Sequence, residues 1–263
     1  MTKRSHKIYT ALVLLLLYIP IFILIFYSFN DGKTTVFKGF TLKWYSELFK
    51  DTVIMESLLN SFIVATVSSI SATVLGTMAA LGIFSMKKKT GDMVLQVSNL
   101  PIINPEIVTG ASLMLMFVFF SGLLGIELGM GSVILAHISF SVPYVVLNVL
   151  PKLRQMNKNI YEAALDLGCS PASAFRKVVI PEIMPGVVSG FLMAFTFSLD
   201  DFIITYFTRG SKFQTLPIEI YTMLRRRLSP KINALSTLMF LIVLVALILI
   251  NIKDYKQVKR GAK

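Results

Sequence analysis

Residues 8–29 run from end to end without a charged side chain, and comparable apolar runs recur at 58–86, 94–120, 132–150, 186–208 and 232–252. A bilayer core needs about 20 predominantly apolar residues per helical crossing. Lipid offers no hydrogen bonds, so each crossing has to satisfy its own backbone, and a helix does so. With mean hydropathy +0.72, 55% hydrophobic and only 15% charged residues in 263, the chain is too apolar for a water-soluble domain of this size. The expectation is an all-α membrane protein of six transmembrane helices in one transmembrane domain, 1–263, with its core at about 57–252.

Lys3, Arg4 and Lys7 precede the first run. The run exceeds the roughly 7–15 residues of a signal-peptide core and no small-residue cleavage site follows, so it is expected to be retained as a span, kinked at Pro20. Between 30 and 57 the chain turns polar, and Phe40, Trp44, Leu48 and Phe49 fall on one helical face. Trp44 and Tyr45 are expected at headgroup depth on the outer side, or else at a contact for an external binding protein. Ser68, Ala72, Gly76 and Ala80 recur at steps of four. Such a small-residue ridge lets helix backbones approach closely and marks a central span. Lys87, Lys88 and Lys89 mark a turn, and Pro101 and Pro105 are expected to break the third run. Glu106 then falls near mid-membrane when counted from the lysine turn. His137 reads as a hydrogen-bonded packing residue rather than a proton relay, and Asn148 likewise. Gly186 and Gly190 form a second close-packing pair.

The formal charge of +12 is carried by loops between apolar runs, a pattern of membrane orientation rather than of nucleic-acid binding. With both termini inside, 16 of the 26 lysines and arginines fall on inner segments and 10 on outer ones, the basic tail 253–263 included with the inner set. Arg225, Arg226 and Arg227 are the local exception, placed outside and left without a firm role. Cys169 is the only cysteine, which excludes a disulfide framework and a cysteine metal site.

Residues 161–185 are the one long polar interlude between two strongly apolar runs. Glu162, Ala163 and Ala164 begin a run of helix formers, and Gly168 stands where a left-handed C-terminal cap stops it cheaply. Ser170 offers a cap to the next helix, with Pro171 at its first position. Pro181 and Pro185 are expected to end that second helix. The prediction is two short helices at a fixed elbow, about 159–181, with Ala163, Ala164 and Leu167 presenting a small apolar face to a partner's groove and Glu162 and Asp166 at its edge. A turn packed on its own bundle is the plainer alternative. Glu162-Ala163-Ala164, Gly168, Val178, Ile180 and Pro181 resemble the EAA-G-I-LP signature of membrane subunits of bacterial binding-protein-dependent ABC importers. Val178 and Ile180 replace the usual isoleucine and leucine. In that family the loop docks on the ATP-hydrolysing subunit, which implies a coupling role for Glu162, Ala163, Ala164, Gly168 and Pro181.

Three acids fall in expected spans: Glu106, Asp200 and Asp201. A charged carboxylate near a helix centre costs on the order of 2.5–3.5 kcal/mol even on the lenient insertion scale, so each must face a partner, a water cavity or a cation. Ser198, Asp201, Thr205 and Thr208 recur at helical spacing on the fifth run and form a polar stripe expected to line a pathway. Phe197, Tyr206 and Phe207 stand nearby with ring faces suited to an ammonium group. Carboxylates without a basic residue in any span suit a cation better than an oxyanion. Structural ion pairs within the bundle are the alternative for each acid.

The segments LYIPIFILIFYSFN, GFTLKWYSELF, PEIVTGASL and FSLDDFIITYF, with the elbow, together look like the second of two membrane subunits of spermidine/putrescine importers, a resemblance that spans nearly the whole chain. It implies a MetI-like ABC importer permease fold with cytoplasmic coupling helices in a bacterial inner (plasma) membrane. It also implies a second similar permease, two copies of an ATPase subunit that binds ATP and Mg, an external polyamine-binding protein, and a polyamine path guided by Glu106, Asp200 and Asp201 with Ser198 and Thr205. No cofactor is expected on this chain and no nucleic acid. No catalytic set is visible: Gly32-Lys33-Thr34 imitates the end of a phosphate-binding loop, but Tyr27 replaces its first glycine. A permease for another cationic solute, and an autonomous ion-coupled carrier, are the competing readings.

Overall fold

The computed structural model describes residues 3–32, 36–125, 127–226, 230–241 and 244. The described residues are helical almost throughout, in the order α1 (Lys3–Ser28), α2 (Lys43–Lys50), α3 (Thr52–Ser85), α4 (Lys88–Ser98), α5 (Leu100–Ile103), α6 (Glu106–Leu124), α7 (Met130–Gln155), α8 (Lys158–Asp166), α9 (Pro171–Ala174), α10 (Ile180–Asp200), α11 (Ile203–Thr208) and α12 (Leu216–Arg226). Among the described residues, five helical stretches are long and apolar enough to cross a membrane: Tyr9–Ser28, Thr52–Ser85, Glu106–Leu123, Met130–Gln155 and Pro171–Asp200. Residues 230–241 begin the expected sixth span as a helix. Most of the rest of that span, the basic tail, Arg227, and Lys33 and Thr34 of the loop that imitates a phosphate site lie outside the described residues.

The chain divides into two compact units, one of residues 1–56 and 219–263, the other of residues 57–218. In the first, α1 contains Pro20 without ending there, and Leu15, Leu16, Leu17 and Phe22 are exposed, as suits a lipid-facing helix. The loop after it is built on Asn30. Its Oδ1 accepts from the amides of Gly32 (3.0 Å) and Lys38 (2.9 Å), its Nδ2 donates to the Val36 carbonyl, and its own carbonyl accepts from Trp44 Nε1 at 2.7 Å. Trp44 is 5% exposed. It is a buried clamp of this loop, its N–H bound to a backbone partner inside the fold. Tyr45 hydrogen-bonds Ser28 (2.7 Å), and Phe40 lies ahead of α2, stacked on Phe29. Lys231 is held between Glu47 (3.7 Å) and Asp51 (3.3 Å).

In the second unit, the small-residue ridge of α3 is buried as its spacing predicts: Ser68, Ala72 and Ala80 have no exposed surface. A Cβ on Gly76 would stand 2.6 Å from Val145 Cβ on α7. The third apolar run breaks at both expected prolines, since α5 has Pro101 in its first turn and α6 starts after Pro105. Glu106 consequently lies in the first turn of α6, where the helix dipole favours an acid, and not inside a continuous span. The core gathers Ala80, Ile83, Val145, Val149, Leu153, Ile183 and Ala194 from α3, α7 and α10.

The elbow forms at its first half as expected. Gly168 has φ +85°, the Cys169 amide donates to the Ala164 carbonyl and the Gly168 amide to Leu165, closing a Schellman cap on α8. Ser170 caps the next helix by accepting from the Ser173 amide, with Pro171 at the first position. The second half differs. Pro181 and Pro185 do not end a short helix; Phe175–Val179 form a π-turn and the chain passes directly into α10. The widened turn ends at Val179, two residues before Pro181, so the residue without an N–H sits where the regular hydrogen-bond ladder is already interrupted. Proline deeper in a membrane helix is tolerated because neighbouring groups satisfy the freed carbonyl.

The fifth run is also not one helix. It breaks at Asp201 and Phe202, and the short α11 carries Thr205 and Thr208.

Candidate functional site

The α10–α11 break is organised by a carboxylate. Asp201 accepts from the amides of Ile204 (3.3 Å) and Thr205 (2.7 Å) and from the Thr205 hydroxyl (2.8 Å), capping α11 from outside its first turn. His137 of α7 places Nε2 2.9 Å from the Thr205 hydroxyl and 3.3 Å from Asp201 Oδ2, and Nδ1 2.6 Å from the Ser198 hydroxyl. Ser198 is in turn 2.9 Å from Ser68 on α3. His137, Ser68, Ser198 and Thr205 are buried, and the Asp201 side chain is 7% exposed. Since Thr205 gives its hydroxyl proton to Asp201, its lone pair accepts from His137 Nε2–H. Nδ1 and the Ser198 hydroxyl share a second hydrogen bond, Ser198 and Ser68 a third, and the Ser68 hydroxyl also reaches the Ala65 carbonyl at 3.4 Å. Every member is satisfied, as a buried polar network must be.

This corrects one expectation. The stripe Ser198, Asp201, Thr205 and Thr208 does not lie on one helix, because the run breaks at Asp201; Ser198 on α10 and Thr205 on α11 are buried and are not among the residues lining the adjoining cavity. His137 is hydrogen-bonded as expected, with its partners on α10 and α11. The signal available was the pairing need itself: one histidine and one acid, both in apolar runs, each requiring a partner. Asn148 is likewise engaged, donating to the Tyr144 carbonyl and accepting from Ser189.

Beside the network lies a cavity of about 400 Å³ whose lining includes Glu106, Asp200 and Asp201 together with Asn104, Thr109, Phe140, Tyr144, Phe197 and Phe202. All three acids expected to share a pathway thus face one space. The rings of Tyr144 and Phe197 stand 4.7 Å apart on its wall. No lysine or arginine is among the described residues that line it. Tyr206 and Phe207 pack edge to face with each other outside that lining.

At the elbow, Glu162, Ala163 and Leu167 are exposed, Leu167 to 86%, while Ala164 is half-buried. Gly168 is exposed with open space about its α-carbon. Pro181 lies on the exposed side of α10.

Residues 72–254 match the family described as binding-protein-dependent transport system inner membrane component. The chain belongs to that family. The permease is 37% identical over 227 residues to the putrescine transport system permease protein PotI of Escherichia coli K12, covering 84% of this chain and 80% of the relative. It is 36% identical over 233 residues to the spermidine/putrescine transport system permease protein PotC of the same strain, covering 88% and 87%. A PotC homolog of Mycoplasma pneumoniae is 29% identical over 262 residues, covering 95% and 90%. Among solved structures, a bacterial ABC transporter involved in import of the acidic polysaccharide alginate superposes with TM-score 0.66 at 14% identity over 95% of this chain and 98% of that one. The MetNI methionine ABC transporter gives 0.59 at 18% identity, covering 76% and 95%. The permease therefore has the all-α, MetI-like importer fold and is a multi-span integral membrane protein. As a permease subunit it is not the ATP-hydrolysing component; that chemistry resides in a separate partner.

Proposed function

We propose that this permease is one of two similar membrane subunits of an ATP-driven polyamine importer, acting as one transmembrane domain with six spans and both termini on the cytoplasmic side. The observation that carries the substrate class is the cavity in which Glu106, Asp200 and Asp201 meet aromatic rings with no basic residue among its described lining. Carboxylates attract ammonium groups and ring faces accommodate them once they are partly dehydrated. The names of the relatives, which specify putrescine and spermidine, support the same class. Glu106 and Asp200 are assigned to guide the substrate, and Asp201 with Ser198 and Thr205 to shape the path from behind.

The elbow is assigned to coupling. Its exposed Ala163 and Leu167 beside Glu162 offer an apolar spot with an acidic edge to a separate ATPase dimer. The αL cap at Gly168 fixes the angle through which a push is transmitted. An external polyamine-binding protein delivers the substrate. Uptake of radiolabelled putrescine and spermidine into proteoliposomes holding the full complex, with other organic cations as competitors, tests the substrate class. Polyamine uptake inhibited by polyamines alone is expected; uptake of another cationic solute with no polyamine uptake would replace this reading by that of a related importer.

A further inference from the structure

Three helices of the second unit meet at one imidazole, and a fourth joins through Ser198. His137 on α7 reaches Ser198 on α10 and Thr205 on α11, and Ser198 reaches Ser68 on α3. The same ring approaches Asp201, the residue at which α10 stops and the chain turns into α11. Asp200 is its immediate neighbour and faces the cavity. Successive α-carbons are held about 3.8 Å apart, so a carboxylate at 200 keeps its place only while 201 keeps its own. A second route runs through Phe140, whose ring meets His137 edge-on at 5.3 Å and also forms cavity wall.

We propose that His137 is a positioning residue for transport: by holding Asp201 and the α10–α11 corner, it sets where Asp200 and Phe202 stand in the cavity and so how tightly the substrate cation is gripped. This rests on the reading of that cavity as the substrate path. A histidine that only filled space would be replaced by phenylalanine at little cost, since no buried donor or acceptor would be left unpaired. Here the partners stay behind: the Asp201 carboxylate and two hydroxyls keep their need for hydrogen bonds, and the corner must shift to satisfy them.

The test is putrescine uptake by the full complex in proteoliposomes for His137→Phe, His137→Gln, His137→Asn and Asp200→Asn. His137→Phe is expected to raise the half-saturating putrescine concentration about tenfold, within the range of networks that couple packed elements. Gln reaches roughly as far as Nε2 and retains the Asp201 and Thr205 side of the network, whereas Asn reaches only the Nδ1 side. Gln is therefore expected to restore most of the affinity and Asn little. A purely structural role would lower the maximal rate with the amount of assembled complex and leave half-saturation unchanged, and that result would overturn the proposal. Should His137→Phe fail to assemble, the Gln and Asn variants decide: Gln clearly better supports it, equal behaviour overturns it. Asp200→Asn separates the two readings. If Asp200→Asn weakens half-saturation while His137→Phe does not, only the positioning role fails; if Asp200→Asn leaves uptake unchanged, the cavity is not the path and both fall.

Discussion

Val145 of α7 is wedged between two glycines. A Cβ on Gly76 of α3 would stand 2.6 Å from its Cβ, and a Cβ on Gly190 of α10 would stand 3.2 Å from its Cα. The small-residue positions of two helices thus close on a single β-branched side chain, which holds α3, α7 and α10 at backbone distance. Gly76→Leu is expected to destabilise the permease by about 1–3 kcal/mol, the usual penalty for overpacking. Val145→Gly in the same chain should recover part of the loss by removing the Cβ and Cγ1 atoms that the new side chain meets. Thermal unfolding of the detergent-solubilised complex for both single variants and the double variant measures the coupling.

Asp200 and Asp201 are adjacent and chemically identical, yet their surroundings predict different failures. Asp201→Asn keeps one acceptor oxygen, but an NH2 in the place of Oδ2 takes the acceptor from the Thr205 amide and hydroxyl and turns a donor towards His137, so a loss of roughly 1–3 kcal/mol in stability is expected. Asp200→Asn is expected to weaken polyamine uptake with little change in unfolding temperature. Measuring unfolding and uptake on the same preparations checks the contrast.

Gly168 holds φ +85° at the cap between α8 and α9, in open space. The obstacle to a side chain there is therefore backbone strain and not a clash, about 1–2 kcal/mol in the left-handed region and more for a β-branched residue. Gly168→Val is expected to leave the protein inserted while raising the ATP hydrolysed per polyamine imported. The ratio of phosphate release to uptake in proteoliposomes reads this directly.

Trp44 is the only tryptophan of the chain, and its N–H is bound to the Asn30 carbonyl. Its emission is expected to be blue-shifted and weakly quenched by acrylamide. Trp44→Phe should loosen the loop after α1 by about 1 kcal/mol, the worth of one hydrogen bond, without altering half-saturation for substrate.

Features set by local chemistry were legible in the sequence. The ridge at Ser68, Ala72, Gly76 and Ala80, the breaks at Pro101 and Pro105 and the glycine cap at 168 depend on residue type at short spacing, and each has the role its spacing predicts. The three acids could be picked out because charge in an apolar run demands a partner. What escaped the sequence was which partner. Asp201 and His137 are brought together by α7 packing on α10 and α11, a tertiary event with no local signature, and it turns Ser198 and Thr205 inward where periodicity alone suggested a pathway face. The partner of Trp44 escaped for the same reason, since it is a backbone carbonyl fourteen residues away. Pro181 misled in the opposite direction: the π-turn at Phe175–Val179 absorbs it, and propensity does not anticipate such a turn.

The central claim is that this permease moves a polyamine with energy delivered through its elbow by a separate motor. The most direct measurement is putrescine uptake into proteoliposomes in which the partner ATPase binds ATP but cannot hydrolyse it, the permease being unaltered. Uptake falling to background is the predicted result; continued uptake driven by an ion gradient would contradict the account and make the chain an autonomous carrier.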